Sequence, residues 1–224
     1  MRTVAYVDGH NLYFSCLKGT PYKWLDLQSL VTSILACESP SAQLTGLRYF
    51  TSPIKGSFAR RGQASTDAQS AYLRALRTHP SITIIEGRFR IDGAFALRHR
   101  VPPNRDDKVR IWRIEEKETD VSIALSMYHD ARSGDVDQVV LVSNDSDMVP
   151  ALRHIRAETT AKVGVILPLR VESDTYVTSR RPSAGLAEQA DWVRSYLLAS
   201  ELAQSQLAPV IPTKRKAIRR PPHW

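Results

Sequence analysis

The chain has 224 residues, 42% apolar and 24% charged, the balance of a globular protein with one sizeable core. A formal charge of +8 and a pI near 9.7 point to a polyanionic partner, nucleic acid first. No apolar run approaches the roughly 18 residues of a membrane span. Met1-Arg2-Thr3 leads straight into strand-like residues with no h-region, so no membrane association and a cytoplasmic location are expected.

In chain order, Val4 to Val7 reads as a strand ending in the turn Asp8-Gly9-His10-Asn11. Leu25 to Ala36 is an amphipathic helix, with Leu27, Leu30, Val31, Ile34 and Leu35 at three- and four-residue spacings. A strand over Leu44 to Phe50, a helix over Ala64 to Thr78 and a β-branched strand over Ser81 to Ile85 follow. Residues 88–113 break the rhythm with Pro102-Pro103-Asn104, eight Arg or Lys and three Asp. They read as a basic excursion that is partly a hairpin. A helix marked by Val121, Ala124, Leu125 and Tyr128 begins near Thr119-Asp120. The strand 139–143, a helix from Asp147 to Glu158 and a strand from Val163 to Leu167 complete the alternation.

Strands alternating with helices predict a three-layer α/β sandwich around a central, mostly parallel sheet. This domain is expected over residues 1–170. Residues 171–224 form a C-terminal extension packed on or trailing from it, helical in part over 186–202, with a basic tail at 214–224 that has no acid after Glu201. Cys16 and Cys37 form no C-x-x-C pair and read as buried free thiols, which excludes a disulfide framework and a zinc site. Neither a P-loop nor a G-x-G-x-x-G follows the first strand, and the six histidines form no catalytic arrangement.

Four aspartates stand at strand ends or helix starts: Asp8, Asp120, Asp145 and Asp147. In a parallel sheet those ends share the edge where such sheets bind ligands. Asp145 and Asp147 also fit ordinary helix caps. Four converging carboxylates repel unless a cation separates them, and a hard divalent ion, Mg²⁺ or Mn²⁺, is the natural one. One or two such ions are also the usual machinery of phosphodiester hydrolysis.

Tyr6-Val7-Asp8-Gly9-His10-Asn11-Leu12-Tyr13, Glu116-Lys117-Glu118-Thr119-Asp120-Val121 and Ser143-Asn144-Asp145-Ser146-Asp147 resemble, in this order, the three motifs of the NYN domain family, bacterial nucleases of the PIN-like superfamily. The likeness continues through Arg180 to Asp191 and to the C-terminal residues. It departs at Asn144 and Ser146, where many relatives carry glycine, and in lacking cysteine pairs before the Glu-Lys motif. The resemblance implies a metal-dependent ribonuclease on a five- or six-stranded sheet. Asp8, Asp120, Asp145 and Asp147 would hold Mg²⁺ or Mn²⁺, and Asn11 would orient Asp8 or the scissile phosphate. Ser143 and Asn144 would steady the acidic edge, with a turn role as good a reading for Asn144. Lys117 would meet a substrate phosphate or pair with a neighbouring Asp, and pairing is preferred.

Arg60-Arg61 lies in a loop after the second strand, and Arg180-Arg181 follows the last strand. With the excursion, these would surround the acids with positive charge and guide phosphates inward. Phe89, Phe95 and Trp112 are interleaved with arginines and offer stacking on unpaired bases. Core packing is the preferred reading for Phe89 and Trp112. The expected partner is therefore RNA, single-stranded RNA included. The tail reads as an electrostatic arm or a homodimer contact. The rival functions are a noncatalytic RNA-binding or assembly module and a DNA or structure-specific nuclease.

Overall fold

A computed structural model describes residues 1–172, 175, 176 and 181–224. Its centre is a six-stranded sheet in which all neighbours run parallel. β1 (Arg2–Asp8) lies between β2 (Gln43–Thr51) and β6 (Gln138–Val142). β3 (Ile82–Glu86) is one edge, and β7 (Lys162–Ile166) then β10 (Trp192–Arg194) complete the other side. The chain winds from β1 toward β3 and then returns to wind from β6 outward. The β1/β6 gap is thus the switch point at which such sheets open a ligand crevice.

Two layers of helices cover the sheet. α2 (Leu27–Glu38) and α3 (Gln63–Leu76) pack on one face, α4 (Thr119–Ser133) and α5 (Val149–Glu158) on the other. Period-two alternation divides β1 and β6 between them. Ala5, Val7, Val140 and Val142 join the α2/α3 core, while Tyr6, Val139 and Leu141 join the α4/α5 core. Buried on both faces, these strands read as continuous apolar runs. α2 starts at Asp26, whose carboxylate accepts from the Ser29 N–H at 3.0 Å, and it buries the five predicted apolar residues. Cys16 is buried, but Cys37 is exposed on the outward face of α2, contrary to expectation.

The basic excursion is an antiparallel hairpin, β4 (Arg88–Leu97) with β5 (Lys108–Lys117), longer than expected and rising from the C-terminal end of β3. It returns through Glu118, a left-handed residue at φ 78°, into α4. The base is tight. A Cβ on Gly87 would fall 2.6 Å from Thr119 Oγ1 and 2.7 Å from the Lys117 carbonyl oxygen. The apolar face of α4 is rotated from expectation: Ile123 and Met127 are buried, while Val121 and Leu125 are exposed.

In the C-terminal part, β10 adds the sixth strand of the main sheet. β8 (Arg170–Glu172) pairs with β9 (Thr175–Tyr176) and with β11 (Leu197–Leu198), and α6 (Ala184–Glu188) and α7 (Ala199–Gln204) are short. The tail read as an extended arm is docked from β13 (Ile218–Arg219) onward, beside β12 (Val210–Ile211). The Trp224 ring lies 5.6 Å from Tyr72 and 6.3 Å from Trp24, and Arg220 donates to the carbonyls of Pro21 and Trp224. Apolar rings bring the tail back to the core, and Lys214 to Lys216 stay exposed.

Candidate active site

The first strand delivers its last residue, Asp8, as the N-cap of α1 (Gly9–Leu12). Its Oδ1 accepts from the Asn11 N–H at 2.9 Å and its Oδ2 from the Ser143 hydroxyl at 2.9 Å. Gly9 follows because the Tyr49 ring and the Phe50 carbonyl leave no room: a Cβ there would lie 2.6 Å from both. Ser143 follows the last residue of β6, and its Oγ also accepts from the Asp145 N–H at 3.1 Å. Asp145 Oδ1 in turn accepts from the Asp147 N–H at 3.0 Å, capping the short turn Ser146–Met148. Asp120 sits in the first turn of α4.

Oxygens of Asp8, Asp120 and Asp145 all lie within 4.8 Å of one another. The cap and the cluster readings of Asp145 are compatible, because one carboxylate does both. Asp8 is only 3% exposed, and burial pushes its carboxyl up to about 6, aided by the charges of Glu116 and Asp145 and opposed by its two hydrogen bonds. Asp120 also rises to about 6, first through desolvation and then through Asp8, Asp145, Glu116 and Asp147. The arrangement is an electrostatic strain that a cation relieves. Its donors are all oxygens, the set that suits a small hard divalent ion rather than a soft or imidazole-seeking one.

Asp147 stands outside the three-way cluster, exposed and one turn further along, though its charge is felt at Asp120. A fifth acid at this edge, left out of the site by the sequence reading, is Glu116. Its Oε1 accepts from the Thr119 hydroxyl at 2.7 Å and its Oε2 lies 3.1 Å from His10 Nδ1. His10 packs against Phe14 and Phe89 in tilted ring contacts, with ring centroids 5.5 and 5.3 Å away. The signal for Glu116 was in its motif: two strand residues before a helix start, it returns to the same edge as Asp120.

The remaining candidates divide. Asn11 Oδ1 accepts from the Asn144 N–H at 3.1 Å, so Asn11 joins the two acidic turns by backbone and side chain. The Asn144 side-chain amide donates to the Arg181 carbonyl at 3.0 Å and accepts from the Ser183 N–H at 2.8 Å, which pins the segment before α6. Lys117 pairs with Glu115 at 2.9 Å rather than with an aspartate. Arg60 and Arg61 are exposed with no carboxylate partner among the described residues. Arg61 lies on the side of Lys23 and His223, whose pKa values its charge helps lower. Arg180 lies outside the described residues. Phe89 is half-buried, but Trp112, expected in the core, is 65% exposed on the hairpin.

A doubly wound three-layer sandwich with carboxylates meeting at its switch point defines a PIN-like α/β protein. Residues 2–181 match the NYN domain, and the chain belongs to that family, which places it among nuclease-type hydrolases acting on nucleic acid. A relative in Pseudomonas putida, named 6-hydroxy-3-succinoylpyridine 3-monooxygenase, is 37% identical over 253 aligned residues that take in all of this chain and 75% of that protein. A solved structure of a protein of unknown function from Vibrio parahaemolyticus matches with a TM-score of 0.52 at 17% identity. It covers 88% of this chain and 92% of that one, a likeness of fold alone. Among the described residues no helix is long and apolar enough to cross a membrane.

Proposed function

We propose that the chain is a Mg²⁺- or Mn²⁺-dependent endoribonuclease that leaves 5′-phosphate and 3′-hydroxyl ends. The observation that carries this reading is the convergence of Asp8, Asp120 and Asp145 within 4.8 Å at the switch point. A divalent ion held there supplies Lewis-acid stabilisation of the phosphate and an acidified water for in-line attack. The protein's part is to hold the donors. Asn11 and Ser143 fix the two oxygens of Asp8, so its ionised form needs little reorganisation. Ser143 also sets the Asp145 backbone, and Asp120 arrives on the first turn of α4. Asp147 completes the acidic edge through a water rather than directly. Glu116 holds His10 beside the edge, where the imidazole can take or return a proton at the leaving oxygen.

The test is a panel of metals against single-stranded RNA, structured RNA and single-stranded DNA, with Asp145→Asn as control. RNA cleavage with Mn²⁺ that is lost in Asp145→Asn is the expected result, and equal cleavage by the two proteins refutes the site. RNA binding without cleavage under every metal favours a noncatalytic module, and cleavage of DNA alone favours a DNA nuclease. The relative's name gives a second reading, ring hydroxylation of a hydroxypyridine. That reaction needs dioxygen and a reductant, and the carboxylate-only cluster lacks the two histidines of a non-haem iron triad. Product formation from 6-hydroxy-3-succinoylpyridine with dioxygen and a reductant is the measurement that would favour it.

A further inference from the structure

The hairpin has two faces that differ in how their cations are paired. On one, the cations are neutralised within the hairpin and its base: Arg88 holds Glu118 at 2.8 Å, Arg90 holds Asp92 at 2.5 Å and Lys117 holds Glu115 at 2.9 Å. That face turns toward α4 and bounds a cleft of about 700 Å³ lined by Arg88, Arg90, Lys117 and Val121. The register puts Phe89, Ile91, Gly93 and Phe95 on the other face, opposite Glu116, Ile114, Trp112 and Arg110. Arg110, and Lys108 two residues before it, have no carboxylate partner among the described residues. Phe95 is 70% and Trp112 65% exposed. Free positive charge and exposed rings therefore share one face.

That face is continuous with the acidic edge. At its foot Phe89 lies against His10, and Glu116 touches His10 and charges Asp8 and Asp120. Further out Trp112 meets Phe58 edge-on at 5.5 Å, so the loop bearing Lys55, Phe58 and Arg60 forms a second wall. An added Cβ on Gly93 would meet the Arg110 guanidinium at 3.6 Å, so Arg110 lies over the glycine beside Trp112. From Glu116 to Arg110 is six strand residues, about 20 Å, room for several nucleotides.

We infer that this face is a track for an unpaired RNA strand: Trp112 and Phe95 stack on bases, Arg110 and Lys108 hold the backbone, and the strand descends past Phe89 to the carboxylates. The inference rests on the ribonuclease reading for its substrate class. Charge complementarity decides the occupant. A second copy of a chain with charge +8 would bring like charge against Arg110 and Lys108, whereas RNA brings phosphates and π-faces together.

The test measures binding without cleavage. Fluorescence anisotropy of the full chain with a labelled 20-nucleotide unstructured RNA, in EDTA, compares wild type with Trp112→Ala, Trp112→Tyr, Arg110→Ala/Lys108→Ala and, on the neutralised face, Arg90→Ala. Trp112→Ala should weaken binding by roughly 5- to 150-fold, the range of one lost stacking contact. Trp112→Tyr should retain most of it, which separates stacking from misfolding. Arg110→Ala/Lys108→Ala should flatten the log–log salt dependence by about 1.4, and Arg90→Ala should leave it unchanged. Face variants that bind like wild type overturn the inference, as does a wild-type protein that binds no RNA or prefers single-stranded DNA. A wild-type dimer that becomes monomeric in Trp112→Ala, with RNA binding intact, assigns the face to a second copy and also overturns it. Cleavage that persists with unchanged affinity in these variants sinks the track and spares the nuclease. Lost affinity in a protein that cleaves under no metal does the reverse.

Discussion

Removing divalent ions should make the folded protein lose stability as pH rises from 5 to 7.5, and adding Mn²⁺ should restore it only at the upper end. The perturbed group is Asp8, whose carboxyl is driven up to about 6 by burial first, with Glu116 and Asp145 adding to it, from an ordinary value of 3.8. The native state then holds this proton more tightly than the unfolded chain does. Its contribution to stability is full below about pH 4 and is lost as pH climbs through 6. The full span is about 3 kcal/mol, of which about 1.4 kcal/mol falls between pH 5 and 7.5. For a chain of this length that is about 3–6 °C in Tm. Asp120 adds a smaller share, because its exposed side chain is screened by solvent. Differential scanning fluorimetry in EDTA, with Asp8→Asn as the reference, isolates the effect from other titrating groups. The wild type should lose those degrees relative to the variant across the window. Mn²⁺ at a hundred times its Kd should return about 2.7 kcal/mol at pH 7.5 and little at pH 5, where Asp8 is protonated. Parallel wild-type and Asp8→Asn profiles without metal would refute the reasoning.

Other outcomes follow from single contacts. Asp147→Asn should lower RNA cleavage less than Asp145→Asn does, because only Asp145 belongs to the three-way cluster; rates measured at saturating Mn²⁺ compare them. Glu116→Gln removes a charge that helps raise Asp8 and Asp120 while sparing the Thr119 contact, so carboxyl titration by NMR should show both groups moving to lower pH. Asp130→Ala leaves the buried Tyr6 hydroxyl without its 2.6 Å acceptor and Arg48 without its ion pair. It should cost about 2–4 kcal/mol in urea denaturation, with RNA cleavage at 25 °C unchanged. Gly87→Ala should displace the hairpin base from Thr119 and lower both the melting temperature and RNA affinity.

The central fold was readable because its grammar is periodic. β6 and α2 show their burial directly in apolar runs and three- and four-residue spacings, and they fall within two residues of expectation. Asp8 and Asp145 were readable for the same reason, because the ends of parallel neighbours β1 and β6 must meet on one edge, whereas Asp120 reaches that edge on the first turn of α4, after the antiparallel hairpin. What escaped was set by partners distant in sequence. Trp112 looked like core because tryptophan is usually buried, yet the hairpin rises off the sheet and has no second layer to cover it. β10 escaped because three residues, Trp192–Arg194, carry no periodicity, and the strand is defined only by pairing with β7. The tail looked solvated because it is basic, but Trp224 and Ile218 outweigh its lysines by reaching the α2/α3 core.

The two electrostatic features of the molecule explain each other's position. The acidic cluster alone would repel a polyanion, so docking of the scissile phosphate needs a cation in the cluster, and holding the rest of the strand needs positive charge along the approach. The chain meets the second need with a hairpin that leaves the sheet at the C-terminal end of β3 and returns to it at Glu116, beside Asp120. The same ten-residue strand thereby carries Arg110 at its outer end and Glu116 at the acidic edge. Moving the strand by one residue would exchange its faces, putting Arg110 and Trp112 over α4 and withdrawing Glu116 from His10. The register of β4 with β5 therefore couples the substrate surface to the carboxylates. A single-residue deletion in β5 between Arg110 and Glu116 would put those two side chains on opposite faces, so it should cost either RNA affinity or the Glu116 contribution to the Asp8 titration, and a variant that keeps both unchanged would refute the coupling.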